Sequence, residues 1–473
     1  MVRKLLLILL VVFMPCASLA ATSYYVCSSG CNDANDGTST GQCVASITRA
    51  HALAGSTDTI NFCPAGTWTG TVILTAETGV AYIGNDTETW GSGTRAKFQA
   101  TGSATAGVVR ISASTVTFTG FDVDMNDQSA GGIYIGYGLS SNTTISNITV
   151  QDCLVHDSNV DAFAYGIYVG PLTSNTDITV SNVSILNNTV YNTQHEAIVI
   201  YPSWGDCGSG TPCNRKNDTI LVRGNTIYNA GQNGGASCWY GDGILVNNDS
   251  DNVTIDHNVV HDSCFGVRVT TSSDNIPYGC LGGSANNLIV SNNIFYDNDY
   301  GVALTPACGM QGDGTFYNNV IVNSTTKDLS VANDTATLTW GTSAFSFYNN
   351  TFYNTYLSAS DAKSVGFLEI YSGMTTVTGT PTFNFKNNIV YTATCNGIYD
   401  VQGILTHSYN LIYRSSAETH KHVSICAEPA YNCSVTDYDR DGTASDLQNW
   451  EATAQKTDPA FTGGTLPTGF SGT

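Results

Sequence analysis

Five short segments of this 473-residue chain share one form, a variable residue followed by a small or aromatic-flanked residue and an alternating apolar run. They are YGIYV at 165, EAIVI at 196, DGILV at 242, FGVRV at 265 and YGVAL at 300. In two successive segments the leading residue is acidic, Glu196 and Asp242. If the segments stack in parallel register, equivalent positions are one strand spacing apart, which sets these carboxyl groups about 5 Å from one another. Carboxyls separated by about 5–5.5 Å suit a retaining glycosidase, one as acid and one as nucleophile. Their repulsion raises the pKa of one of them and keeps it protonated. Three residues on, a second column reads Tyr168, Val199, Leu245, Arg268 and Ala303, so Arg268 lies one segment beyond Asp242. His195 immediately precedes Glu196. The same carboxylates also suit Ca²⁺, which takes oxygen ligands. Against both stands the plain alternative of a solvated acidic stripe with Arg268 pairing to Asp242.

The connections around these segments are the longest in the repeats: 201–218, 231–240 and 271–286. Loops held by a rigid scaffold carry function disproportionately. These bring Trp204, Trp239 and Tyr240, and Tyr168 belongs to the outward column, so the four rings are the candidates for stacking on a sugar. A separate acidic run, DYDRDGTASD, offers Asp437, Asp439 and Asp441 with a following Gly442, the opening of a calcium loop. Gln448 stands where the twelfth-position Glu is expected, so that pattern is incomplete.

The elements that must position these residues come from an internal repeat. Eight-residue segments align as QDCLVHDS (151), LNNTVYNT (186), RGNTIYNA (223), DHNVVHDS (256), SNNIFYDN (291), YNNVIVNS (317), YNNTFYNT (348), KNNIVYTA (386) and SYNLIYRS (408). Their third column is Cys153 followed by eight asparagines: Asn188, Asn225, Asn258, Asn293, Asn319, Asn350, Asn388 and Asn410. The intervals vary, which argues for a β-solenoid with loops of different length and against helical repeats. Buried amides are self-consistent only if each bonds its neighbours in the coils above and below. The column Tyr191, Tyr228, Tyr296, Tyr353, Tyr391 and Tyr413 reads as stacked rungs, and His257 and His261 as surface or turn residues. The glycine opening most second strands supplies a conformation a Cβ would resist.

This pattern resembles the right-handed parallel β-helix family, seen in pectate-lyase-like enzymes and many exported surface proteins. The opening SYYVCSSGCNDANDGTS and the closing DLQNWEATAQKTDPAF are similar to that family's ends. The expected fold is all-β, a right-handed parallel β-helix of about ten coils. VASITRAHALAG forms a short helical cap with Val44, Ile47 and Leu53 inward, hiding the first sheet edge. The resemblance also implies a second chemistry, in which calcium on Glu196 and Asp242 acidifies a uronate proton that Arg268 removes. The hydrolase motif NTD…DD…GHG…RIK and the epimerase motif DPHE are both absent.

Composition limits the function classes. Charged residues are 12% of the chain, against about 25% in ordinary soluble domains. Hydrophobics at 42% and aromatics at 10% exclude a disordered chain, and the residue mix excludes a helical bundle. A formal charge of -21 argues against nucleic acid as partner, and against a polyuronate. Arg3 and Lys4, the apolar stretch 5–14 and Ser18-Leu19-Ala20 form a secretory signal; no transmembrane segment is expected. Of 15 cysteines one lies in this leader, and the even remainder suggests disulfides in an exported protein. Short spacings nominate Cys27 with Cys31, Cys43 with Cys63, and Cys207 with Cys213. The organisation is 1–20 signal peptide, 21–115 cap and first coils, 116–415 repeats, and 416–473 closing coil, loop and cap. Two functions follow. One is an extracellular enzyme cleaving a polysaccharide, with calcium the only cofactor suggested and no organic cofactor. The other is a non-catalytic surface protein, an adhesin or fibre subunit capable of end-to-end self-association.

Overall fold

A computed structural model describes most of residues 21–438. The leader, residues 439–473 and several intervening stretches lie outside the described residues, the longest being 203–214, 232–240, 272–283 and 355–365. The calcium-loop residues Asp439 and Asp441, the rings Trp204, Trp239 and Tyr240, and the pair Cys207 and Cys213 are among them. Asp437 lies on the strand Val435–Tyr438, which runs antiparallel to Val423–Cys426.

Each coil contributes three strands to three long sheets of 13, 12 and 13 strands. One coil runs Thr143–Gln151 in the first sheet, Leu154–Ser158 in the second and Ile167–Val169 in the third. The repeat alignment identifies the strands of the second and third sheets. The first-sheet strand, which runs into each repeat segment from the preceding loop, carries no shared signature and is the addition the structure makes. The solenoid is also longer than ten coils, because the early turns lack the asparagine that marks the later ones. Pairing is parallel along all three sheets, apart from the final antiparallel strand.

The core is a continuous stack of Val, Ile, Leu and Phe pointing into every coil. At one corner of this stack runs the asparagine ladder. The side-chain oxygen of Asn225 accepts from the backbone N–H and the Nδ2 of Asn188, at 2.8 and 3.0 Å. Asn225 in turn donates to Asn258 and to the Ile185 carbonyl. The same pattern recurs through Asn258, Asn293, Asn319, Asn350, Asn388 and Asn410. At the N-terminal end Cys153 replaces the amide, with its thiol donating to the Gln151 carbonyl. The repeated Asn-Asn pairs have a conformational origin. The first residue of each pair, as in Asn187, Asn292, Asn318, Asn349 and Asn387, adopts positive φ between 53° and 56°. Asparagine tolerates that left-handed region better than other side chains, and the turn aims its successor inward.

The glycines opening the third-sheet strands act through space rather than φ. None of Gly166, Gly243, Gly266 and Gly301 has positive φ. A Cβ at Gly166 would stand 2.5 Å from the Ala197 carbonyl, and one at Gly243 would stand 2.9 Å from that of Gly266. Close stacking of coils excludes the side chain, and this replaces the turn explanation.

The short helix Ile47–Leu53 caps the first coil, with Ser46 accepting from the Arg49 N–H. Val44 bridges to Val26, and Ile47 and Leu53 pack on the core. Two disulfides tie this region, and both correct the pairing expected from spacing: Cys27 bonds Cys63, and Cys31 bonds Cys43. Cys27 and Cys63 each follow one of two paired strands, Ser23–Val26 and Thr59–Phe62, so stacking brings together what the sequence separates.

One buried acid lies inside the coil. Asp328 accepts from the Ser324 N–H at 3.0 Å and from Asn354 Nδ2 at 3.2 Å, and its burial pushes the carboxyl up to about 7. The folded form therefore holds a proton that the unfolded chain releases near 3.8. Stability is greatest below that value and falls as pH rises through about 7. Asp328→Asn is expected to remove on the order of 4 kcal/mol of this pH dependence. Urea denaturation of both proteins at pH 4 and pH 8 checks it, and parallel pH profiles would refute the assignment.

Candidate functional site

The third sheet sets the two sequence columns in register. Hydrogen bonds from Gly166 to the Glu196 carbonyl and from Ala197 to the Asp242 carbonyl place Tyr165, Glu196 and Asp242 on successive coils. Asp242 then pairs with Phe265, and Phe265 with Tyr300. The second column runs Tyr168, Val199, Leu245, Arg268, Ala303. Core positions such as Ile244, Val246, Val267 and Val269 point inward, so Leu245 and Arg268 stand on the outer face.

On that face Arg268 joins the two acids. Its Nε and Nη2 donate to Asp242 Oδ2 at 3.0 and 2.7 Å, and Nη2 lies 3.8 Å from Glu196 Oε1. The guanidinium also lies over the Phe265 ring, 4.8 Å from its centroid. His195 Nδ1 is 3.5 Å from Glu196 Oε2. Asp242 is 0% exposed and Glu196 3% exposed, so the acids are drier than an acidic stripe in water. Burial pushes the Asp242 carboxyl up, Arg268 opposes this, and Glu196 adds to it, leaving it at about 7. The remaining oxygens, Glu196 Oε2 and Asp242 Oδ1, receive no hydrogen bond among the described residues.

Beside this group lies a cluster of rings and aliphatics on the outer face: Tyr134, Tyr165, Tyr168, Val199, Tyr201 and Leu245. Tyr168 is fully buried, and its hydroxyl donates to the Tyr201 carbonyl at 2.6 Å. It therefore packs against its neighbours and presents no open face to a sugar. Tyr165 packs edge-on to His195. The approach of Arg268 to Glu196 is added by the structure, whereas its proximity to Asp242 followed from column order. The burial did not, because it depends on how aromatic residues from several coils converge.

The second sheet carries the predicted ring column on its outer side. Tyr191 stacks on Tyr228 at 4.9 Å and 5°, and Tyr353 on Tyr391 at 4.7 Å. Two histidines extend it: His156 stacks on Tyr191, and His261 lies between Tyr228 and Tyr296. His261 is thus a rung rather than a turn residue, while His257 does occupy a turn, with φ 55°. Ring faces within the stack are covered by one another, which leaves only edges for any partner. His156 bonds Asp122 and Asp157, each at 2.9 Å, and those carboxylates outweigh burial and raise its pKa. Asp124, His156 and Asp157 are close enough to share a metal. Lys97 already pairs with Asp124 at 2.5 Å, however, and both ring nitrogens of His156 are engaged.

Residues 89–281 match the family described as right handed beta helix region. Together with the three parallel sheets, this gives the chain a right-handed parallel β-helix fold. Solved structures similar to it include the GH136 lacto-N-biosidase from Eubacterium ramulus, at 13% identity and TM-score 0.47, covering 70% of this chain and 65% of that one. The Dettilon tailspike protein gp208 has 13% identity and TM-score 0.47, covering 80% and 63%. Pectate lyase Pel9A has 14% identity and TM-score 0.46, covering 82% and 79%. The chain thus spans somewhat less than two thirds of the length of the first two. No curated protein sequence matches it significantly. The fold assignment rests on the registers and the family match, and the chemistry on the residues themselves.

Proposed function

We propose that the chain is an exported carbohydrate-active enzyme that hydrolyses a glycosidic bond at the Glu196–Asp242 pair. The observation that carries this reading is a buried carboxyl, Asp242, held at about 7 next to a second carboxylate on an outward-facing column. A carboxyl that keeps its proton near neutrality is suited to protonate the departing glycosidic oxygen. Glu196 on the neighbouring coil is suited to attack the anomeric carbon as the C–O bond breaks, and water then releases the glycosyl group. Arg268 fixes Asp242 and lowers the cost of the transient negative charge it acquires. Elimination with Arg268 as base is less well supported, because two of its N–H groups are donated to Asp242. The same guanidinium takes the place between the carboxylates that calcium would fill. Export is supported by the apolar leader and the two disulfides. Among the described residues no helix is long and apolar enough to cross a membrane.

The test is a panel of polysaccharides incubated with residues 21–473, with and without calcium, following reducing ends and the ultraviolet absorbance of unsaturated uronate. New reducing ends without that absorbance are expected; absorbance dependent on calcium would replace hydrolysis by elimination. The pH profile gives a second check. Asp242 must be protonated, so kcat/KM should fall above a pH of about 7. Arg268→Gln removes the charge that favours the ionised acid and should shift this limb to higher pH. An unshifted limb would mean that another group sets it.

A second reading is favoured by the same burial. With Asp242 wholly enclosed, Glu196, Asp242 and Arg268 also suit a packing device on a non-catalytic surface or fibre protein. Absence of product on every substrate, with loss of stability in the acid variants, would support it.

A further inference from the structure

We infer that the outer face of the third sheet carries a saccharide subsite beside the carboxylate pair, formed by Asn247, Thr270 and Thr305, and built for a neutral, hydroxyl-rich sugar. The inference rests on the hydrolase reading for the nature of the adjoining centre. Asn247, Thr270 and Thr305 are paired in register, two residues along the strands from Leu245, Arg268 and Ala303. Val246, Val269 and Leu304 between them point into the core, so the two columns share the outer face.

The strip contains polar oxygens that no described residue bonds. Asn247 is 8% exposed, and its Oδ1 is buried with no hydrogen-bond partner among the described residues; the same holds for Thr305 Oγ1. With Glu196 Oε2 and Asp242 Oδ1 they make four such oxygens on three of four consecutive coils of one face. Thr270 has already committed its hydroxyl proton to the Thr305 carbonyl, at 2.6 Å, and can only accept from a ligand. A buried acceptor without a donor is unfavourable, and native proteins retain few of them. Thr270, Thr305 and Arg268 are partly exposed, so the strip opens on the side of the strands Phe265–Thr271 and Tyr300–Pro306.

Among the described residues the strip lacks a donor to Asn247 Oδ1 and any partner for the Thr305 hydroxyl, and a sugar hydroxyl can both donate and accept. Asn247 Oδ1 only accepts, while the protonated Asp242 carboxyl and the Thr305 hydroxyl can also donate. A uronate would set its carboxylate against Glu196 and Asn247 Oδ1. The guanidinium suited to recognise its carboxylate is held by Asp242 and lies close to Glu196. The match is therefore to a neutral saccharide spanning the acid pair and the Asn247–Thr305 column.

Calorimetric titration of residues 21–473 with neutral gluco-, xylo- and galacto-oligosaccharides, and with oligogalacturonate and oligomannuronate, tests this. At least one neutral series should bind, with the uronates about tenfold weaker or more. Asn247→Leu and Thr305→Val should each weaken that binding about three- to tenfold, as expected for one lost hydrogen bond. Their apparent melting temperatures should hold or rise, since no described residue bonds these oxygens. Tighter uronate binding, no neutral binding, unchanged affinity in both variants, or lowered melting in both would overturn the inference. Binding that responds to Asn247 without any cleavage retains the subsite and removes the hydrolase reading. Cleavage abolished by Asp242→Asn but indifferent to Asn247→Leu does the reverse.

Discussion

Asn319→Ala is expected to lower the unfolding free energy by about 4 kcal/mol, while Asn318→Gly, one residue away, should change it by less than about 0.5 kcal/mol. Asn319 is buried in the ladder, and its side-chain oxygen accepts both the backbone N–H and the Nδ2 of Asn293, each at 3.0 Å. Its own Nδ2 donates to the Val290 carbonyl and to Asn350. Alanine leaves two Asn293 donors without an acceptor in an interior that excludes water, and each such group costs about 1–3 kcal/mol. Asn318 is exposed and holds φ 56°; its side chain makes one 3.4 Å contact, to Asn292, while its backbone N–H, which glycine keeps, donates to the Tyr348 carbonyl. Glycine adopts that conformation freely. Urea denaturation of the three proteins measures the difference. An Asn319→Ala protein within 1 kcal/mol of wild type would show that the ladder follows the stack rather than holding it.

The same contrast explains how much of the molecule was legible. A column of identical residues announces stacking, so the ladder, the ring column and the partners of Glu196, Asp242 and Arg268 could be read by aligning repeats. What failed were features fixed by contact between coils. The first-sheet strands vary in sequence because their outward residues face solvent and only the inward ones are constrained. Cysteine pairing followed strand register instead of sequence spacing. The third-sheet glycines answer to the carbonyl of the next coil, and Ala197 in the same column shows that one coil tolerates a Cβ. At the site, the enclosure of Tyr168 and the acids depends on side chains from many segments. The Asn247–Thr270–Thr305 column went unnoticed although its signal was present: extending DGILV, FGVRV and YGVAL by one residue exposes a polar row. Alternation then places that row on the same side as Arg268.

Asp242→Asn should reduce kcat/KM on a polysaccharide by about 10³-fold, the range expected when a positioned acid is lost. Glu196→Gln should produce a comparable loss, but the two differ with leaving group. An aryl glycoside whose phenol departs without protonation bypasses the acid, so Asp242→Asn should recover most of its rate there. Glu196→Gln should stay inactive, since attack at the anomeric carbon is still needed. Stability separates this outcome from a packing role. The folded state holds Asp242 near 7 against an ordinary value of 3.8, so ionisation above that value favours the unfolded chain. The native acid is therefore increasingly costly from about pH 4 to pH 7, and Asp242→Asn, which has no such proton, should gain on the wild type between pH 5 and pH 8. In a packing device the pair with Arg268, 2.7 Å away, is the residue's whole role, so the variant should melt lower and show no selective loss of rate. Rates on both substrates and melting curves at pH 5 and pH 8 decide between them, and an active, destabilised Asp242→Asn protein would remove Asp242 from the chemistry.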